Sequence, residues 1–292
     1  MPIKPSEMPL QPDGSVFHLN LHPDEIADTV ILVGDPDRVP IVSQKFDRIE
    51  IKRQNRGIVT HTGTYKNKRI SVLSTGMGVG NLDIIVNELD ALVNIDLQKR
   101  VPKDTHKSLN LIRLGTCGSL QPDIAVNTCI ASVYSLGLDG LLHYYKHDSN
   151  LSDEEIVSEF VDRTEWNINL PRPYAVAASE TLLNSIAFDM QKGITVTALG
   201  FYAPQCRTLR LPLEITDFAE KLIHAQSKGL FFTNLEMESS ALYCLSKLSG
   251  HKALTICVVI ANRPNKLFSE NHHPAMDGLI NLVLERVAEI RT

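Results

Sequence analysis

No apolar run in the 292 residues approaches the roughly 18 that a membrane span needs. Nor does the N-terminus show a cationic segment followed by an apolar one, so no targeting signal is read there. A long basic run is also missing and the net charge is -5, which argues against nucleic acid or an anionic membrane as the main partner. The five cysteines, Cys117, Cys129, Cys206, Cys244 and Cys257, contain no CxxC pair and lie mostly in apolar runs. That is a pattern of reduced thiols, without a zinc cluster. No linker rich in proline, glycine or serine divides the chain. The absences together lead us to expect a soluble, cytoplasmic protein with one large domain over 16–292, preceded by a loose, proline-rich arm over 1–15. At 43% hydrophobic and 22% charged residues, such a domain can bury a substantial core.

What is present centres on Leu111–Ser119, LIRLGTCGS. A short apolar run holding one arginine reads as a buried strand that delivers a guanidinium to a site, with a glycine-rich turn after it. Stripping Arg113 of water costs several kcal/mol unless a partner compensates. Two readings stand: an oxyanion such as phosphate, approached through Gly115, Gly118 and the Thr116 hydroxyl, or an internal pair with an acid.

Thr29–Val33 is a β-branched run of the kind buried on both faces, closed by Gly34-Asp35-Pro36-Asp37-Arg38. In open α/β sheets ligands bind beyond the carboxyl ends of strands, where Arg38 would stand as a second cation. Phe46–Lys68 reads as β-rich, with Arg53 and Arg56 close together and Gly63 and Asn67 suited to hairpin turns. After a strand at Ile70–Ser74, Asn81 is expected to cap a helix from Leu82 to about Ile95. Gln98–Asn110 reads as a surface insertion. Further strands are expected at 126–133 and 194–199, and a helix at about 179–190. Lys146–Arg172 is acidic and irregular, the segment expected to be mobile or to form a lid.

Gln205 and Arg207, two apart on a loop, can each offer donors to a planar carbonyl-bearing ligand. In Phe231–Ser240 two carboxylates, Glu236 and Glu238, flank Met237 where a strand gives way to a helix. They can accept hydrogen bonds from vicinal sugar hydroxyls, or serve as a helix cap and one salt bridge. A last strand at Ala253–Ile260 ends in Asn262-Arg263-Pro264, and a packing helix spans roughly Pro274–Ile290. His18, between Phe17 and Leu19, reads as a structural histidine or a ligand contact. Neither a Ser-His-Asp spacing nor a metal-ligand cluster is found. Strands alternating with helices, with polar groups collected at one rim, indicate an α/β protein for a phosphorylated sugar or for a nucleoside plus phosphate.

Gly34-Asp35-Pro36-Asp37-Arg38, the Arg113–Gly118 segment, Gln205-x-Arg207, Glu236-Met237-Glu238-Ser239 and Asn262-Arg263 occur in an order and spacing that resembles the nucleoside phosphorylases, bacterial uridine phosphorylases in particular, from Phe17 onward. The resemblance implies a single domain with a central mixed, partly barrel-like β-sheet flanked by helices. It implies that Gly34, Arg38, Arg113 and Thr116 bind phosphate, that Glu238 with Met237 binds the ribose hydroxyls beside Glu236, and that Gln205 and Arg207 meet the uracil edge. Ile260 and Arg263 would line the base pocket, and Arg113, Glu238 and Arg263 would carry the chemistry. His18 and Arg56 would reach into a neighbouring subunit's site, making a homo-oligomer that shares sites as dimers and assembles up to a hexamer. No cofactor or metal is implied, since inorganic phosphate is a co-substrate. Gly57 stands where those enzymes use a glutamate to help hold a monovalent cation, so the resemblance does not extend to that ion. Purine enzymes of the superfamily carry an aspartate after the last strand where this chain has Asn262-Arg263, which favours a pyrimidine such as uridine. The alternatives are a purine nucleoside phosphorylase, a nucleosidase, and a nucleoside-binding protein without turnover.

Overall fold

The side chains of Thr29–Val33, strand β1, alternate between two cores, as a period of two requires. Val30 and Leu32 enter one apolar cluster while Ile31 and Val33 enter another, so this strand is covered on both faces. The computed structural model describes residues 1–290. After β1 come α1 (Arg38–Ser43), the meander β2 (Arg48–Asn55), β3 (Ile58–Tyr65) and β4 (Lys68–Ser74), and α2 (Val79–Asn94). A short hairpin, β5 (Ile95–Asp96) and β6 (Val101–Pro102), leads into β7 (Asn110–Ser119) and β8 (Cys129–Gly137). Next are α3 (Glu154–Thr164), β9 (Tyr174–Ala177), α4 (Glu180–Ile186), β10 (Gln191–Thr197) and α5 (Phe218–Lys221). The chain finishes with β11 (Gln226–Ser227), β12 (Leu230–Glu236), α6 (Ser239–Leu248), β13 (Lys252–Asn262), β14 (Leu267–Phe268) and α7 (His273–Glu289).

The main sheet runs β11-β12-β10-β8-β13-β7-β1-β4-β3-β2, and β12 also pairs antiparallel with β7, Leu235 opposite Gly118. That extra pairing closes β7, β13, β8, β10 and β12 into a mixed barrel, while β1, β4, β3 and β2 continue the sheet outward from β7. Register shifts at Gly193/Ile194 and Val259/Ala261 supply the local bends that closure needs. At the first of these a Cβ on Gly193 would lie 2.2 Å from Thr233, so only glycine lets the two strands approach. Helices α2 and α6 bury one face of the sheet, α1, α4 and α7 the other. A third cluster, with Phe160 of α3, Phe218 of α5 and Phe232, packs the outer barrel wall. The expected mixed, partly barrel-like sheet flanked by helices is what forms.

Several local expectations differ. The glycine-rich segment after Arg113 is no turn: β7 runs on to Ser119, pairing along β13. Gly63 lies inside β3, where a Cβ would meet the Arg48 carbonyl at 2.2 Å, and the hairpin turn is made by Lys66 and Asn67, both at positive φ. Gly78, not Asn81, caps α2. Within the segment expected to be irregular, Asp153 caps α3 by accepting the Ile156 N–H, and Ile156, Val157 and Phe160 are fully buried. Residues 1–15 are tied down: the Ile3 N–H donates to the Arg100 carbonyl at 2.7 Å, Arg100 donates to the Met8 carbonyl, and Leu10 bridges Val16.

Candidate active site

Strand β7 places Arg113 and Gly115 on one face, two residues apart. A Cβ at 115 would lie 2.4 Å from Arg113 Nη1, so the guanidinium folds over the space that glycine leaves. Arg113 is 3% exposed and meets acids on both sides: Nη1 lies 3.0 Å from Glu236 Oε2, and Nη2 donates to Glu238 Oε2. Nη1 also donates to Cys257 Sγ at 3.3 Å, whereas Nε is buried without a partner. Burial alone would lower the pKa of this arginine, yet Glu238 and Glu236 outweigh it and the net shift is upward. The internal pair with acids is thus what forms, and Arg113 also borders a cavity.

The two carboxylates differ. Glu236 accepts from the Thr197 hydroxyl at 2.6 Å, from the Glu238 N–H at 3.0 Å and from the Ser239 N–H at 3.0 Å. Thr197 in turn accepts the Ser240 N–H at 3.0 Å. Glu236 thus satisfies the free amides at the start of α6 and is held on every side. Glu238 has fewer partners, Arg113 on one oxygen and the Gly78 N–H at 2.7 Å on the other. Burial raises its pKa, Arg113 pulls the other way, and the Glu236 charge raises it further.

A cavity of about 450 Å³ opens over these groups. Its lining includes Gly34, Arg38, Arg113 and Thr116 together with Glu236, Met237 and Glu238. Arg38 donates to the Leu114 carbonyl at 3.2 Å and, among the described residues, has no carboxylate within 4.0 Å. Burial lowers its pKa, with Asp35 opposing and Arg113 adding repulsion, so Arg38 is a cation short of a counter-charge.

The same cavity is also bordered by Gln205, Arg207, Phe201, Ile260 and Phe268. Gln205 is 3% exposed and its Oε1 accepts from Arg207, whose guanidinium stacks 4.0 Å from the Phe201 ring centre. Burial and the nearby Arg263 charge hold the Arg207 pKa down to about 10. Arg263 is not among the residues lining the cavity: it packs against Gly118, where a Cβ would touch its Cδ at 3.4 Å, and its Nη1 is buried without a partner.

Comparison with known proteins accords with this arrangement. Residues 28–289 match the phosphorylase superfamily. The chain belongs to that family. As an enzyme of the family it is a pentosyltransferase, and the resemblance to nucleoside phosphorylases is upheld. A uridine phosphorylase of Thermococcus kodakarensis is 29% identical over 267 residues, 91% of this chain and 84% of that one. A DeoD-type purine nucleoside phosphorylase of Bacillus velezensis is 32% identical over 274 residues, 93% of this chain and 99% of that one. Among solved structures, a Trypanosoma brucei nucleoside phosphorylase described as showing uridine phosphorylase activity superposes with a TM-score of 0.88 at 30% identity, covering 97% of this chain and all of that one.

Three expected positions of this phosphorylase lie away from the cavity within one chain. His18 pairs with Glu88 at 2.6 Å, Arg56 stacks 4.9 Å from the Phe17 ring centre, and Arg263 packs against Gly118. Asn262 is likewise occupied: its amide donates to the Gln121 and Ile124 carbonyls at 3.1 and 2.8 Å, and its Oδ1 accepts the Asn265 N–H at 3.0 Å. It secures the loop between β7 and β8 and is not among the residues lining the cavity. Sequence reasoning missed Thr197, Gly78 and Cys257, whose roles depend on strand neighbours distant in the chain. Phe201 and Phe268, which border the cavity, were missed as well. Asp90, His106 and His251 cluster elsewhere, but His251 Nδ1 accepts the Leu109 N–H at 3.2 Å. Its Nε2 then carries the proton and faces Asp90 at 3.3 Å, a donor where a metal needs a lone pair.

Proposed function

We propose that this enzyme cleaves a pyrimidine nucleoside, uridine first among them, with inorganic phosphate to give the free base and ribose 1-phosphate. The observation that carries the reading is that Arg38, a half-buried cation without a carboxylate partner among the described residues, and Arg113, with a buried unpaired Nε, border one cavity together with Glu238, Gln205 and Arg207. Arg38, Arg113, Thr116 and the Gly34 backbone would take phosphate, and Glu238 with Met237 the ribose hydroxyls. Phosphate attacks the anomeric carbon as the glycosidic bond breaks, and the bonding electrons pass to the base. Gln205 and Arg207 stabilise the charge that develops there, with Arg263 adding its field. Holding both substrates in line can supply about 7–11 kcal/mol of the barrier. No cofactor enters this scheme.

Pyrimidine preference rests on the Gln205 amide and the Arg207 guanidinium in the cavity lining. The relatives named purine nucleoside phosphorylases make inosine the second reading. A second copy of the chain would supply His18 and Arg56 to the site, so that dimers, and a hexamer built from them, are the active form. The work of such an enzyme would be nucleoside salvage or breakdown in the cytoplasm. The deciding assay scans uridine, thymidine, inosine and adenosine, each with and without phosphate. Uridine is expected to be the best substrate and to need phosphate; preferential cleavage of inosine would give the purine reading its place.

A further inference from the structure

Gly78 stands out because it combines an unusual backbone with a direct hold on Glu238. Its φ of 94° and ψ of 157° fall in a region that is essentially closed to residues with a Cβ. In that conformation its N–H points at Glu238 Oε1, 2.7 Å away, although the two residues are 160 apart in sequence. The turn that presents it is braced locally, since Asn81 Nδ2 donates to the Met77 carbonyl at 3.0 Å. Gly76 and Met77, beside it, line the cavity. Among the described residues Glu238 has no other amide partner: its second oxygen accepts from Arg113, while the amides at the start of α6 donate to Glu236.

We propose that Gly78 is a positioning residue for sugar recognition, its backbone N–H fixing the Glu238 carboxylate in the orientation that accepts the ribose hydroxyls. This rests on the reading of Glu238 as the ribose acceptor. With Oε1 held by Gly78 and Oε2 by Arg113, the carboxylate plane is fixed from two sides, and each oxygen keeps a lone pair for a hydroxyl. The contact requires the turn geometry more than the space around it: nothing lies within 4 Å of a Cβ built on Gly78. Substituting alanine therefore introduces no clash and acts through the backbone alone, swinging the N–H away.

The test compares Gly78→Ala with Gly80→Ala, whose added Cβ also meets nothing within 4 Å and which needs no positive φ. Uridine and 2′-deoxyuridine are assayed at saturating phosphate, and the Gly78→Ala crystal structure is determined. We expect Gly78→Ala to lower kcat/KM for uridine about 10- to 100-fold, the range for losing a hydrogen bond to a charged group. The loss should be clearly smaller for 2′-deoxyuridine, with the phosphate KM unchanged and Gly80→Ala like wild type. The crystal structure should show Glu238 Oε1 out of reach of the residue 78 N–H. Asn81→Ala, at an exposed position, removes the brace on the Met77 carbonyl, should lower kcat/KM for uridine in the same sense, and serves in place of Gly78→Ala if that variant does not fold. Equal losses on both nucleosides, no loss at all, or an undisplaced carboxylate would overturn the proposal. Were wild type to turn over no nucleoside with phosphate, the reading of the function would fail, while the position of Glu238 in the variant would still decide the role of Gly78.

Discussion

Arg113 Nη1 and Glu236 Oε2 lie 3.0 Å apart, with side chains 4% and 1% exposed. Because Glu236 also accepts from Thr197 and two backbone amides, it works as the brace that holds the arginine and the start of α6 together. Glu238, two residues on, is the carboxylate left able to meet a ligand.

That division predicts different outcomes for the two acids. Glu236→Ala leaves a buried guanidinium with one partner fewer and should destabilise the fold by about 3–5 kcal/mol in denaturant unfolding. Glu238→Gln keeps the shape but removes a counter-charge from Arg113, and should cost about 1–3 kcal/mol of stability while lowering kcat/KM for uridine at least 100-fold, roughly 2.7 kcal/mol of transition-state stabilisation.

The acid limb of the pH profile should belong to Glu238. Burial and the Glu236 charge raise its pKa from 4.5, against the pull of Arg113. A carboxyl whose pKa is raised on folding binds its proton more tightly when folded, so acid favours the native state even as it removes a hydroxyl acceptor. At saturating phosphate, kcat/KM for uridine should therefore fall as pH drops through a value above the ordinary carboxylate range. The limb should vanish in Glu238→Gln.

Gly115→Ala tests the packing beneath the guanidinium. Its Cβ would stand 2.4 Å from Arg113 Nη1, so the arginine must leave its place between the acids. We expect a loss of about 1–3 kcal/mol in stability and a raised KM for phosphate. Unchanged phosphate kinetics would detach Arg113 from phosphate.

Much of this could be read from the chain. Thr29–Val33 and Lys252–Asn262 announce themselves because strands covered on both faces must be continuously apolar, and the polar residues that end them collect at one rim. Gly115 and Gly118 misled for a physical reason: glycine usually marks a turn, but here one makes room for Arg113 and the other borders the β7–β12 closure of the barrel. Whether Glu236 or Glu238 faces the ligand could not be read locally, since Thr197 and Gly78 decide it from far along the chain. Helix α3 was obscured by acidic residues on its exposed side, which drew attention from the Ile156, Val157 and Phe160 stripe.

Asn262 corrects one step of the substrate reasoning. Its side chain is spent on the Gln121, Pro122 and Ile124 carbonyls, and it is not among the residues lining the cavity. Asn262→Asp would set a charge against those carbonyls and should cost about 1–3 kcal/mol in stability. It should leave inosine cleavage unchanged relative to uridine, as measured by the ratio of their kcat/KM values.

The most direct measurement is uracil release from uridine by the wild-type enzyme in phosphate-free buffer and then with added phosphate, with ribose 1-phosphate quantified alongside. Release should begin only on adding phosphate and yield one ribose 1-phosphate per uracil. Equal release in both buffers, with free ribose as the sugar product, would contradict the assignment of Arg38 and Arg113 to phosphate.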